Sequence, residues 1–133
     1  MRWDAVEQAI VAALSADDEL LAILGGARIY PASASRKVEI PSIEYFMVTD
    51  IERESLESVV IQIDYWARGR AQAAQIERRI RHLLHADTRR TLGGIEMATL
   101  YLDSRDHDHP EPGVVHRSLD FRFEPVRERY TTS

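Results

Sequence analysis

Apolar residues recur at helical spacing in three stretches of the chain. Between residues 3 and 14 they fall three or four positions apart, which places them on one side of a helix. Ser15 followed by Asp18 has the form of a helix N-cap, and Gly25-Gly26 that of a helix end, so a second short helix is predicted from Asp17 to Leu24. The same spacing returns after Gly69 and predicts a third helix, whose polar side carries Arg78, Arg81, His82 and His85.

Alternating patterns predict four longer strands. In residues 42–49, 59–66 and 114–124, successive side chains alternate between two sides of a strand with different character. Residues 95–102 are apolar on both sides. In the last strand Arg117 falls among the inward positions, while the outward positions are polar: His116, Ser118, Asp120, Arg122 and Glu124. Residues 28–31 form a short extended piece, and 91–94 a turn.

The remaining segments are predicted to be loops, and the element order indicates the fold class. Residues 50–58 form a projecting acidic hairpin tip, and 103–113 a charged loop with two prolines. The order α-α-β-β-α-β-β favours an α+β fold with an antiparallel sheet of about four strands and helices on one face. With 133 residues, a single domain over 1–133 is expected.

Composition narrows the possible functions. The chain has no cysteine, which excludes disulfide scaffolds and thiolate chemistry and leaves the compartment open. Its apolar runs are far shorter than the ~20 residues of a membrane span, and Asp4 stands where a signal peptide is apolar. We therefore expect no membrane association and no secretion.

The charge is distributed in two adjacent blocks of opposite sign. The net charge of −5 argues against general binding to nucleic-acid phosphates. Residues 41–67 carry six acids and one base, whereas residues 68–90 carry seven arginines and two acids. These blocks can pair within one subunit or between copies, and arginine suits interface ion pairs well. Arg78 and Arg81 with their neighbour Arg79 form a basic stripe without interleaved aromatic residues, which favours a solvated helix face over a single-strand nucleic-acid site.

One charged segment raises the alternative of a metal-dependent enzyme. His107 and His109, with Asp106 and Asp108, combine imidazole and carboxylate groups that suit zinc, manganese or iron. A solvated loop explains the same residues, and elemental analysis of the purified protein distinguishes the two. The chain has no nucleophile elbow and no phosphate-cradling glycine pattern, so we expect no catalytic residues and no cofactor.

Three stretches together resemble a known family. They are Trp3 to Tyr30, with Trp3-Asp4-Ala5-Val6-Glu7-Gln8-Ala9-Ile10 and Leu24-Gly25-Gly26-Ala27-Arg28-Ile29-Tyr30; Ile40-Pro41-Ser42-Ile43; and Ile61 to Arg68 with the helix that follows to His85. In this order they are similar to the tail-completion family of long-tailed phages, prophages and gene transfer agents, also called tail terminator or tail-to-head joining proteins. The segment 103–113 is longer and more charged than that family leads us to expect.

The resemblance implies a non-enzymatic virion protein. It would form a ring of six copies at the head-proximal end of the tail, assembled in the host cytoplasm. Its partners would be sibling copies, the major tail tube protein and a head-tail connector or stopper protein, with DNA passing through the lumen without sequence-specific contact. We expect eight residues at subunit or tube interfaces: Glu52, Arg53, Glu54, Glu57, Arg78, Arg81, Asp120 and Arg122. A monomeric protein-binding module is a further alternative.

Overall fold

The computed structural model describes residues 3–33, 37–48, 59–84 and 86–125. Its helices are α1 (Trp3–Ser15), α2 (Asp18–Leu24) and α3 (Arg70–Leu84). Its strands are β1 (Ile29–Pro31), β2 (Ser42–Met47), β3 (Val59–Arg68), β4 (Ala86–Leu92), β5 (Ile95–His107) and β6 (Val114–Pro125).

The three predicted helices are present, with one change at the start of α2. The N-cap is Asp17, whose carboxylate accepts a hydrogen bond from the Leu20 N–H at 2.9 Å. Ser15 does not cap α2 because it is the last residue of α1, where the helix continues into the Ala16 N–H bond to the Ala12 carbonyl. Gly25 ends α2 in the left-handed conformation, with a φ of 81°, which glycine adopts without steric cost.

The strands form one six-stranded sheet in the order β1-β2-β3-β6-β5-β4. β2 and β3 pair antiparallel, as the predicted hairpin requires, and their connection 49–58 lies outside the described residues. β3 pairs with β6, β6 with β5 and β5 with β4, all antiparallel. β1 instead pairs parallel with β2.

The α+β class is confirmed, but the sheet has six strands rather than about four, and one of its pairs is parallel. β4 was missed because its sequence, Ala-Asp-Thr-Arg-Arg-Thr-Leu, lacks an apolar alternation, and β1 has only three residues. β5 continues to His107 through the segment predicted as a loop. Its polar residues up to His107 pair with β6, so the connecting loop is confined to residues 108–113.

The core lies between the helices and one face of the sheet. Ile61, Ile63 and Tyr65 of β3 are buried there, and the register places Phe121 and Leu119 beside them on β6. α3 contributes Ile76, Ile80 and Leu84 to the same cluster, and α1 contributes Val6, Ile10 and Leu14. We call this side the helix-covered face and the opposite side the open face.

Candidate interaction surfaces

The open face is organised in rows that run across β3, β6 and β5. Cross-strand pairs point to the same side of a sheet, so the register defines each row. The first row, nearest the segment 49–58, is Val60, Arg122 and Leu100; the last, at the other end, is Trp66, His116 and His107. Two polar rows lie between them: Gln62 with Asp120, and Asp64 with Ser118 and Arg105.

The polar rows are joined by hydrogen bonds within the subunit. The Arg105 guanidinium donates to Asp120 Oδ2 at 2.8 Å and to Gln62 Oε1 at 2.7 Å. Gln62 Nε2 in turn donates to Asp64 Oδ1 at 2.7 Å and to Ser118 Oγ at 3.1 Å. Because each polar group has a partner, fully buried Ser118 carries no unmet hydrogen bond.

Three rings stack at the far end of the open face. The His116 ring lies 4.1 Å from Trp66 and 4.4 Å from His107, centroid to centroid. His116 Nε2 lies 3.3 Å from Asp64 Oδ2, and His107 Nε2 lies 2.6 Å from Ser118 Oγ. Burial raises the pKa of Asp64, but its hydrogen bonds to His116, Ser118 and Gln62 outweigh burial and leave the pKa below its usual value.

The structure does not assemble the alternative metal site. Asp106 and His107 are successive strand residues and point to opposite faces: Asp106 lies beside Arg117, and His107 joins the ring stack. The His109 Nδ1 accepts the Glu111 N–H at 3.0 Å. Across the described ranges, no group of three or more His, Asp or Glu side chains is arranged to hold a metal ion.

A partly buried ionic cluster centred on Glu77 joins α3 to the helix-covered face. Glu77 Oε1 accepts from the Tyr65 hydroxyl at 2.8 Å and from Arg117 Nη1 at 2.5 Å, and Oε2 lies 3.4 Å from Arg81 Nη1. Arg117 Nη2 donates to Ser104 Oγ at 2.6 Å. Burial and then the Glu77 hydrogen bond raise the pKa of Tyr65, so its hydroxyl remains the donor.

Beside this cluster, a groove of about 940 Å³ separates α3 from the start of β6. We call it the α3–β6 groove. Ala73, Ala74, Val114 and Val115 supply its apolar lining. Its charged lining residues are Arg70, Glu77, Arg78, Arg81, Asp106 and Arg117.

The predicted interface residues are not gathered at one place. Arg78 and Arg81 are exposed on α3, and the Arg81 guanidinium also lies 4.0 Å above the centre of the Tyr101 ring. Asp120 is engaged by Arg105, and half-buried Arg122 forms no ion pair with another residue of the described part. The four residues predicted on the hairpin tip, Glu52, Arg53, Glu54 and Glu57, lie outside the described residues.

Sequence reasoning missed the partners of the buried charges. The placement of Arg117 among inward-facing residues was the available signal, since a buried guanidinium needs an acid nearby. Nothing in the sequence identified Glu77 as that acid, forty residues away along the chain.

The arginine block pairs with acids outside the acidic block. Arg79 Nη2 donates to Asp17 Oδ1 at 2.6 Å, and Arg68 Nη1 to Glu111 Oε2 at 2.9 Å. The Arg79 hydrogen bond, against a smaller effect of burial, lowers the pKa of the Asp17 carboxyl. The ion pairs of Arg68, Arg79 and Arg81 are thus made with acids outside residues 41–67, and these three arginines do not neutralise the charge of that block.

Comparisons with known proteins show a family and a solved structure to which this chain is similar. Residues 8–123 match the family described as "Tail completion protein gp17". A search of curated proteins returned no match. Among solved structures, a chain of the "Virion of native gene transfer agent (GTA) particle" has a similar fold, with a TM-score of 0.66 and 17% identity over 90% of this chain and 92% of that chain. Within the described ranges, none of the helices combines the length and apolar character of a membrane span.

Proposed function

The chain belongs to the tail completion protein gp17 family, and on this premise we propose that it assembles as a ring that caps the finished tail tube and joins it to the head. The family is defined by a structural role, so the chain is a structural component of a virion tail. The match carries the proposal, because it runs from within α1, at residue 8, to within β6, at residue 123, and includes all the elements between them.

The subunits of such a ring meet through two different patches. A cyclic interface closes only when one surface contacts another on the next copy. Six copies are proposed, with the segment Glu52 to Glu57 against a neighbouring subunit or the tube, and Arg78 and Arg81 facing acids across the ring. Asp120 and Arg122 both lie on the open face. Asp120 already pairs with Arg105, so of these two residues it is Arg122 that is available to an acid of a partner.

Termination of the tube requires two dissimilar ring faces. One face binds the last ring of the tube protein, and the other meets the head connector and offers no surface on which the tube can extend. The head-proximal end of the tail is the location proposed, after assembly in the host cytoplasm. DNA crosses the lumen without sequence-specific contact, in keeping with a net charge of −5.

Electron microscopy of particles produced without this protein tests the proposed function. We expect tubes of uncontrolled length that are not attached to filled heads. Particles with tails of normal length and normal head attachment would contradict the proposal.

The placement of the helix arginines is tested separately by the double variant Arg78→Glu/Arg81→Glu. Charge reversal should weaken assembly, as measured by the mass of the oligomer and by the fraction of capped tails. Because Arg81 also contacts Glu77 and Tyr101, the single variant Arg78→Glu, which leaves those contacts intact, should weaken assembly as well. Unchanged assembly in the double variant would refute this placement.

A further inference from the structure

The α3–β6 groove has an apolar floor and a cationic rim. Arg70 and Arg78 are exposed at the rim, and neither forms an ion pair with another residue of the described ranges. Arg81 and Arg117 are engaged by Glu77, and Arg117 also lies 2.7 Å from Asp106 Oδ1. The acids of the groove are thus already occupied, and the uncompensated charge is positive.

We propose that this groove binds the acidic segment 49–58 of a second copy of the chain. The contact rests on the proposed ring and identifies the two surfaces that meet between neighbouring subunits. The segment reads Thr-Asp-Ile-Glu-Arg-Glu-Ser-Leu-Glu-Ser, with four acids, one arginine and two apolar residues. Its acids match Arg70 and Arg78, and Ile51 and Leu56 match the apolar floor.

Charge also distinguishes this segment from the C-terminal one. Residues 126–133 read Val-Arg-Glu-Arg-Tyr-Thr-Thr-Ser, with two arginines and one acid. A cationic rim repels such a peptide. Segment 49–58 is therefore the occupant that charge complementarity favours.

Chain length keeps the segment away from the Arg70 end of the groove in its own subunit, so a contact that uses Arg70 is a contact between copies. The segment precedes β3, whereas Arg70 follows its last residue, and the β3 residues from Val59 to Arg68 span about 30 Å. Both ends of the segment are held together, since the Val48 N–H donates to the Val60 carbonyl at 2.8 Å. A ten-residue segment tethered in this way extends at most about 17 Å, so it cannot reach Arg70 of its own subunit.

The consequence is a head-to-tail interface. Val59, which follows the donor segment in the chain, is the first residue of β3, and Arg70 of the acceptor groove comes after its last residue, so each subunit carries one of each half. Contacts of this heterologous kind continue from copy to copy until a ring closes.

Cross-linking in the cysteine-free chain tests the contact directly. A chain with Glu54→Cys is mixed with a chain of different mass that carries Ala74→Cys in the groove, and a bis-maleimide links them. The matched control replaces Ala74→Cys with Glu96→Cys, at an exposed residue of β5 that does not line the groove. We expect the Ala74→Cys pair to link at least about tenfold faster, because docking raises the local concentration of the two thiols.

Charge exchange provides the second measurement. Arg70→Glu/Arg78→Glu should remove the preferential link, and adding Glu52→Arg/Glu57→Arg should restore it. Equal linking to Ala74→Cys and Glu96→Cys, or linking that survives the reversal of Arg70 and Arg78, would overturn the inference. If the link is absent but tails are capped normally, the proposed function stands and only this contact fails. If the link forms but particles made without the protein have normal tails, the contact stands and the proposed function fails.

Discussion

The two faces of the sheet use the alternation of β3 in opposite ways. On the helix-covered face, Ile61, Ile63 and Tyr65 are removed from water by the helices. On the open face, Gln62 and Asp64 are covered by the polar side chains of β5 and β6 to which they are hydrogen-bonded. A polar row on a strand is therefore not by itself a surface left for a partner.

The open face differs along its length as well. The polar side chains of its middle rows are hydrogen-bonded to one another, whereas the end near segment 49–58 carries exposed apolar side chains. Val48 and Leu100 are 49% and 47% exposed, and Leu100 pairs with half-buried Arg122. A partner contact is thus expected at this end of the open face.

The largest expected effect comes from the helix-covered face. Phe121→Ala removes a fully buried ring and should lower the free energy of unfolding by about 3–5 kcal/mol. Urea denaturation followed by tryptophan fluorescence measures it. The neighbouring Arg122→Ala on the open face is the control and should change the free energy by less than about 0.5 kcal/mol. Similar losses for both variants would contradict the contrast between the faces.

A smaller effect is expected at the ionic cluster. Glu77→Gln leaves Arg117 without its closest charged acceptor and should destabilise the fold by about 2 kcal/mol, the size of a hydrogen bond to a charged group. Glu111→Gln is the matched control: it breaks the Arg68 pair, whose side chains are 56% and 51% exposed, and should cost less than about 1 kcal/mol. Equal costs, measured by thermal unfolding, would show that burial of Glu77 adds nothing.

The smallest effect is a pH dependence on the open face. The pKa of Asp64 is lower in the folded chain than in the unfolded chain, so its stabilising contribution is present above pH 3.8 and is lost as the pH falls through the folded value. Asp64→Asn should therefore differ most in stability from the original chain at neutral pH. Denaturation at a series of pH values checks this, and a stability gap that widens on acidification would contradict it.

Some elements of the fold could be predicted from the sequence and others could not, depending on whether their pattern is local. Helix α3 and strand β6 could be predicted because their periods are visible within a few residues, and Arg117 was placed on the inward side on the same basis. β4 could not, because a polar strand at the sheet edge shows no period. The predicted loop 103–113 was wrong for a related reason: polar residues become strand when a neighbouring strand supplies their hydrogen bonds.

By itself the sequence determined the helices, the central strands, the opposite charges of two adjacent blocks and the family resemblance, because these depend on local order along the chain. Only the tertiary structure decided that Arg117 meets Glu77 and that Arg79 meets Asp17, forty and sixty-two residues away. The physical reason is that an ion pair forms over a few ångströms of space. Which residues come within that distance depends on the order of strands in the sheet and on the packing of α3 against it.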